Sequence, residues 1–356
     1  MIYCLAIDWL AFFCESETGC LNEYIPDFGY RLEPHGTRQY RQLITVTLHG
    51  IDLFEVQQLP CSSILNSKSM IIKVCNRWLY QGGLWYLVNK FLSLHRIRVL
   101  NISRVDICAD FNNFHGGLSA VSLIEGFLSA KYRHIGRGIG NAHFNHFSKK
   151  DGKFSRSHVN YTGLSFGSNE SAARAYLYNK SFELMTVKDK PWIREMWKEC
   201  GLENTPQKPV WRLEISIKSK GMKFKDKEKS DIIKIDENNV QNSDFIKLMY
   251  HTFVHSLFSF VRNRESITNI SREPRMQLFN GEPFVKRCAL SNESAGNRAE
   301  RILIKALWQM SEKYRGNNVV EDEGISKLLA TNLAQNTGLL QWLIQKRETW
   351  SQPNKQ

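Results

Sequence analysis

Three stretches of this chain carry residue types suited to chemistry on phosphorus. Residues 161–183 read YTGLSFGSNESAARAYLYNKSFE. Positions 175–178 alternate small or apolar residues with aromatic ones, the pattern of a strand, and Asn179 and Lys180 close it. Tyr178 thereby ends a strand beside a lysine, downstream of a Gly/Ser/Asn turn at 167–171. A phenol with its ordinary pKa of about 10 is a poor nucleophile at neutral pH. A neighbouring cation, metal or base turns it into one that can hold a phosphoryl group as a covalent ester. Tyr176 and Tyr178 also suit plain cross-strand aromatic contacts, so this segment alone leaves both readings open.

The other two stretches add charge. In residues 103–112, SRVDICADFN, strand alternation puts Val105, Ile107, Ala109 and Phe111 on one face and Arg104, Asp106, Cys108 and Asp110 on the other. In residues 209–218, PVWRLEISIK, Trp211, Leu213, Ile215 and Ile217 face one way and Arg212, Glu214 and Ser216 the other. Each strand is core on one side and charged on the other. Carboxylates gathered on one surface repel each other unless arginines or a divalent cation neutralise them, and Mg²⁺ or Mn²⁺ suits oxygen ligands. Half-exposed strands with solvated salt bridges account equally well for either pattern taken singly.

In this order the three stretches resemble the replication initiation factor family (Rep_trans), the rolling-circle replication initiators of plasmids and filamentous phages with related relaxases of mobile elements. The family pattern is a strand R-x-D-x-x-x-D, a G-S-x-x-S turn leading to x-Y-[ND]-K, and W-R-x-E. Its counterparts here are Arg104/Asp106/Asp110, Gly167/Ser168/Ser171 with Tyr178/Asn179/Lys180, and Trp211/Arg212/Glu214. The opening IDWLAFF is similar to the family's first strand, so the resemblance spans residues 7–218. One position departs from it: the family usually has a basic residue two before the tyrosine, and this chain has Tyr176.

The resemblance implies a duplicated sheet whose concave face carries the site. It implies sequence-specific nicking of unpaired DNA at a replication origin, as in an extruded hairpin loop. Tyr178 would become joined to the 5′-phosphate and release a 3′-OH that primes synthesis. Asp106 and Glu214, with Asp110 as third candidate, would hold Mg²⁺ or Mn²⁺, and Arg104, Arg212 and Lys180 would offset developing charge. A homodimer, with the second subunit's tyrosine closing the circle, and recruitment of a host helicase are implied as well.

Composition fits such a partner. A formal charge of +13 and a pI near 9.3 favour a polyanion. Nucleic acid is favoured over membrane, because no stretch approaches about 18 uninterrupted apolar residues. The first ten residues lack a basic n-region and carry Asp8, which reads as a strand rather than a signal peptide. None of the eight cysteines forms a C-x-x-C pair, so they read as free thiols of a reducing cytoplasm, not as a zinc site.

Periodicity predicts strands at 6–13, 43–49 and 70–75, a loop after Gly50, and helices at 83–95 and 118–132. Long loops without βαβ alternation point to an α+β fold with a largely antiparallel sheet and flanking helices. The Gly-rich, basic segment 134–156 suits either a solvated loop or a track for a DNA backbone, with Phe144, Phe147 and Phe154 available to stack on bases. GRGIG at 136–140 has no following Gly-Lys-Ser/Thr and is no phosphate loop. His143 and His146 are spaced one residue too far apart for a histidine–hydrophobic–histidine metal motif. After a linker at 235–241 the character turns helical, with stripes at 245–260, 299–314 and 325–346. The expected organisation is a catalytic domain, 1–235, and a helical C-terminal region, 236–356, in which Arg262, Arg264, Arg272 and Arg275 are available to DNA.

Three other readings compete. A relaxase mobilising a transposable element keeps the chemistry and changes the role. A non-enzymatic, sequence-specific DNA-binding regulator reuses the sheet without needing Tyr178 or metal. A tyrosine recombinase fits poorly, because no tyrosine follows Tyr314.

Overall fold

The structure, a computed structural model, describes residues 1–21, 25–62, 65–136, 140–148, 157–168, 170–226, 232–263, 273–281, 288–290, 303–308, 327–334 and 343, with backbone alone at 144–148, 157–160, 224–226, 232 and 288–290. The chain runs β1 (Tyr3–Ser16), β2 (Gly29–Leu32), β3 (Tyr40–Leu48), β4 (Ile51–Pro60), β5 (Ser69–Val74), α1 (Leu84–Leu94), β6 (Ile97–Phe111), α2 (Ala120–Leu128) and β7 (Tyr132–His134). It continues with β8 (Gly140–Ser148), β9 (Ser157–Phe166), β10 (Ala173–Asn179), α3 (Lys180–Thr186), α4 (Pro191–Glu199) and β11 (Trp211–Lys218). Then come β12 (Lys223–Asp226), β13 (Ile232–Lys234), α5 (Ser243–Leu257) and β14 (Phe260–Arg262).

Ten strands join one antiparallel sheet in the order β2-β3-β4-β5-β1-β6-β11-β10-β9-β8. The order is the same read from either edge. In each half a leading strand, β1 or β6, is followed by four strands that fold back until the last lies beside the first. The halves meet at the long β1–β6 pair. This is the α+β, largely antiparallel, duplicated arrangement expected above.

One face of the sheet is core. Ile107, Ile215, Ala175 and Phe166 lie in one cross-strand row and are fully buried. Helices cover this face: Phe91 of α1 meets Phe54 at 4.8 Å, Phe127 of α2 meets Phe166 at 5.6 Å, and Tyr250 of α5 donates to the Leu213 carbonyl at 3.2 Å. The opposite face carries Arg104, Asp106, Asp110, Arg212 and Glu214, the split that alternation predicts.

Several boundaries differ from the sequence reading. The chain after Gly50 is a strand, not a loop. His49 and Gly50, both with positive φ (50° and 78°), form the tight two-residue turn that pairs β4 with β3. β4 escapes the pattern because Gln58 stands at a buried position where alternation calls for an apolar residue. Its amide is satisfied by the Leu21 N–H (2.8 Å) and by Gln42 (3.0 Å). Much of the basic segment 134–156 belongs to the β8–β9 hairpin at the sheet edge. Arg137, Lys149, Lys150, Lys153, Phe154 and Arg156, and the side chains of Phe144, His146 and Phe147, lie outside the described residues, as do Arg264 and Arg272. Tyr132 and Phe260, expected on helices, sit on β7 and β14, which pair with each other.

The chain divides into two compact units, Met1–Cys288 and Ala289–Gln356, where the sequence reading divides it at 235/236. In the second unit, residues 303–308 and 327–334 are helical and bury Ile304, Ala330, Ala334 and Leu343 together.

Candidate active site

The charged face is built by register. Arg212 lies opposite Asp110, Glu214 opposite Cys108 and Ser216 opposite Asp106. Across the next strand Tyr178 lies opposite Arg212 and Tyr176 opposite Glu214. Directly opposed residues of antiparallel strands share a face, so all seven residues singled out from sequence lie on one side of three neighbouring strands and the helix that follows.

They form three groups with different environments. In the first, Arg212 is fully buried (0% exposed) and grips Asp110, also 0% exposed, with Nε and Nη2 at 2.6 and 2.7 Å. The Trp197 indole of α4 donates to the same carboxylate at 2.7 Å. Arg212 Nη1 lies 2.6 Å from Asp8 as a charge contact without hydrogen-bond alignment, and Nη2 also reaches Tyr80 at 3.1 Å. Tyr80 donates in turn to Asp8, which also accepts from Asn76 at 3.0 Å. Burial opposes ionisation of Asp8, but the Arg212 and Lys180 charges and these two donors overcome it and hold the carboxyl well below its usual range. Asp110 thus has both oxygens occupied in a dry pocket. It anchors Arg212 and offers the open side of the site nothing.

In the second group Arg104 holds Asp106 in a two-pronged pair (2.9 and 2.5 Å), and its guanidinium stacks on the Trp9 ring at 4.6 Å. Burial pushes the Asp106 carboxyl up, and the Arg104 charge works against that push.

The third group contains the tyrosine. Tyr178 donates to Glu214 Oε2 at 3.1 Å and accepts from Lys180 Nζ at 3.4 Å. Lys180 is 1% exposed and pairs with Glu183 at 2.5 Å. Its position follows from the start of α3: Asn179 caps that helix by accepting from Phe182 N–H, so the first helical residue turns its side chain back under the strand end. Burial raises the Tyr178 phenol well above its ordinary pKa, and the Glu214 charge adds to the effect. Burial first, then the Asp106 and Asp8 charges, push Glu214 up to about 7. A protonated phenol is therefore hydrogen-bonded to a carboxylate able to accept its proton at neutral pH, with a buried ammonium beside the oxygen.

Tyr176 lies over the same spot. Its ring stacks on Tyr178 (4.8 Å, 26°), takes the Arg174 guanidinium at 5.2 Å and meets His143 edge-on at 5.4 Å. His143 bonds Ser165 at 3.0 Å. Gly163, opposite Tyr178, leaves room for these rings: a Cβ there would stand 3.3 Å from the Tyr176 ring and 2.6 Å from the Leu177 carbonyl oxygen.

Four contributors to this site are not assigned to it by the sequence: Asp8, Tyr80, Trp197 and Glu183. Asp8 alone left a visible signal, an acid inside an otherwise apolar strand. The β1–β6 register slips between Ile7 and Trp9, so Asp8 and Trp9 both turn to the charged face.

Among the described residues no three His, Cys, Asp or Glu side chains gather closely enough to hold a metal ion. Asp106 and Glu214 are nonetheless two oxygen donors whose repulsion adds to burial in raising Glu214, and a hard divalent cation would relieve such a pair while keeping most of its waters, sharing Asp106 with Arg104, which holds both its oxygens.

No family model matches the chain, and no curated protein matches it. Three chains of solved structures match. One is a rolling circle replication initiator protein from Geobacillus stearothermophilus, 14% identical with a TM-score of 0.45, covering 77% of this chain and 92% of that one.

Proposed function

We propose, from the side-chain geometry for the tyrosine chemistry and from the sequence resemblance for the role, that this protein nicks single-stranded DNA at a replication origin and transfers the cut strand through a covalent tyrosine intermediate, as a rolling-circle initiator. The observation that carries the reading is the Tyr178 hydroxyl held between the Glu214 carboxylate and the Lys180 ammonium, at 3.1 and 3.4 Å.

In the proposed reaction Tyr178 Oη attacks the phosphorus of a phosphodiester. The phenolic proton passes to Glu214 Oε2, the oxygen that already accepts its hydrogen bond. The bond from phosphorus to the 3′ oxygen breaks, and that oxygen leaves as a 3′-OH after taking a proton from solvent. The 5′-phosphate stays on Tyr178 as an ester of similar energy, so a 3′-OH can reverse the step and rejoin the strand. Lys180 stabilises the phenolate as the proton leaves. Arg104 holds Asp106 toward the phosphate side, and the Asp110–Arg212–Asp8 group fixes the strands that carry Tyr178 and Glu214. Mg²⁺ or Mn²⁺ held by Asp106 and Glu214 would polarise a non-bridging phosphate oxygen.

A second cleft on the same face supports an unpaired substrate. It measures about 720 Å³ and is bounded by Trp9, Trp192, Arg77, Lys73, Lys188 and Lys190, with Asp8, Asp52, Glu55 and Asp189 also on its border. Indoles interleaved with cations suit bases splayed from a single strand. A relaxase reading shares every one of these features. The dimer and the helicase partner belong to the proposal on the resemblance alone.

The test is to mix the protein with supercoiled DNA carrying its own coding sequence and flanks, with Mg²⁺ or Mn²⁺, then denature and look for DNA bound covalently to protein. Native protein is expected to form the adduct and Tyr178→Phe is expected not to. Tight duplex binding with no adduct and no nick would instead favour the regulator.

A further inference from the structure

We infer that the Gly-Ser turn before the tyrosine strand builds a pocket for a second phosphodiester of the bound single strand, separate from the one attacked. The inference rests on the nicking proposal for the identity of the strand.

The pocket is a cleft of about 220 Å³ at the far end of β10 and β11 from Tyr178. Three cations from three adjacent strands border it: Arg104, Arg174 and Lys218. Arg104 lies directly opposite Lys218, and Arg174 opposite Ser216. Hydroxyls of Ser168, Ser171 and Ser216 complete the border.

The serines are positioned before any ligand arrives. Gly167 adopts φ +90°, where a side chain is strained, and starts the turn. Ser171 Oγ then accepts from the Ser168 N–H at 3.0 Å and lies 3.2 Å from Ser168 Oγ, while Ser171 N–H donates to the Ser168 carbonyl at 3.1 Å. Fixed hydroxyls beside guanidinium and ammonium groups are the chemistry that recognises phosphate oxygens. Arg174 precedes Tyr178 by four strand positions, roughly 13 Å at the rise of an extended chain. A phosphate seated at Arg174, Lys218 and the serines therefore lies further along the same strand than the one Tyr178 reaches. Tyr176 and Glu214, which also border the cleft, connect the two.

The experiment measures fluorescence anisotropy of a labelled single-stranded oligothymidine against salt concentration, in EDTA. Each variant is made in full-length Tyr178→Phe protein, so that no cleavage intervenes. Lys218→Gln is expected to weaken binding roughly tenfold and to lower the slope of log K against log salt by about 0.7, the value for one phosphate contact on a single strand. The double variant Ser168→Ala/Ser171→Ala is expected to weaken binding with its slope unchanged, because hydroxyls release no counterion. Lys90→Gln, a charge control on α1 behind the sheet, is expected to bind as the parent does. Parent-like affinity and slope in both pocket variants, with matched thermal melting, overturn the inference. So does a Lys90→Gln slope that falls as far as that of Lys218→Gln. Adduct formation by the Tyr178 protein is scored separately. A pocket effect without any adduct leaves the pocket standing and removes the nicking proposal. An adduct with no pocket effect does the reverse.

Discussion

Glu214→Gln separates the two demands placed on this carboxylate, and its effect on stability has a sign that is easily mistaken. The folded protein raises Glu214 from 4.5 to about 7. Below pH 4.5 the side chain is protonated in both folded and unfolded chains, so it costs nothing. Between about 4.5 and 7 the unfolded chain releases the proton and the folded chain keeps it, so stability falls as pH rises. Above about 7 the cost is constant. At 1.36 kcal/mol per unit, the penalty grows by about 2.5 kcal/mol between pH 5 and pH 8. Glutamine fills the same space and still accepts from Tyr178 but does not titrate. The difference in unfolding free energy between Glu214→Gln and native protein should therefore move in favour of the variant by about that amount from pH 5 to pH 8. Urea unfolding at the two pH values, in EDTA, measures it. The same substitution should abolish adduct formation, giving a protein that is more stable at pH 8 and inactive. A stability difference that stays constant to within about 0.5 kcal/mol across the range would refute the argument.

Three further outcomes are expected. Arg212→Met strands the buried carboxylates of Asp110 and Asp8 and should cost about 3–5 kcal/mol in urea unfolding, part of it recovered by adding Asp110→Leu; a loss under about 1 kcal/mol would contradict the anchoring role. Lys180→Met removes the buried ammonium 3.4 Å from the Tyr178 oxygen and should slow single-turnover adduct formation on the order of 10²-fold; a rate within about twofold of native would remove Lys180 from the reaction. EDTA should stop adduct formation by native protein while leaving single-strand binding by Tyr178→Phe intact, and an undiminished adduct would exclude the divalent ion.

Much of the sheet was legible because its strands are long and half-buried. The face assignments of β6 and β11 follow from alternation alone, and the opposition of Arg212 to Asp110 realises what two R-x-acid strands suggest. What stayed hidden has local causes. β4 was lost to one buried glutamine, Gln58, satisfied by partners distant in sequence. The β8–β9 hairpin was lost because glycine and lysine outweigh its alternation. α3 and α4 were missed although Asn179 and Pro191 mark their starts. Within the site, Asp8 depends on a bulge, which period-two counting does not register. The division of labour among the carboxylates was also out of reach: Asp106, Asp110 and Glu214 look alike in sequence, and only packing gives Asp110 to Arg212 and leaves Glu214 to Tyr178.

The central claim is that Tyr178 carries the phosphate, and the most direct measurement is to find it there. Adduct made with native protein is treated with nuclease and trypsin and read by tandem mass spectrometry. Cleavage after Arg174 and Lys180 leaves both candidate tyrosines on one peptide, AYLYNK. A nucleotide-phosphate mass is expected on that peptide, with fragment ions assigning it to Tyr178. The same mass on Tyr176, or on any peptide outside this strand, would contradict it.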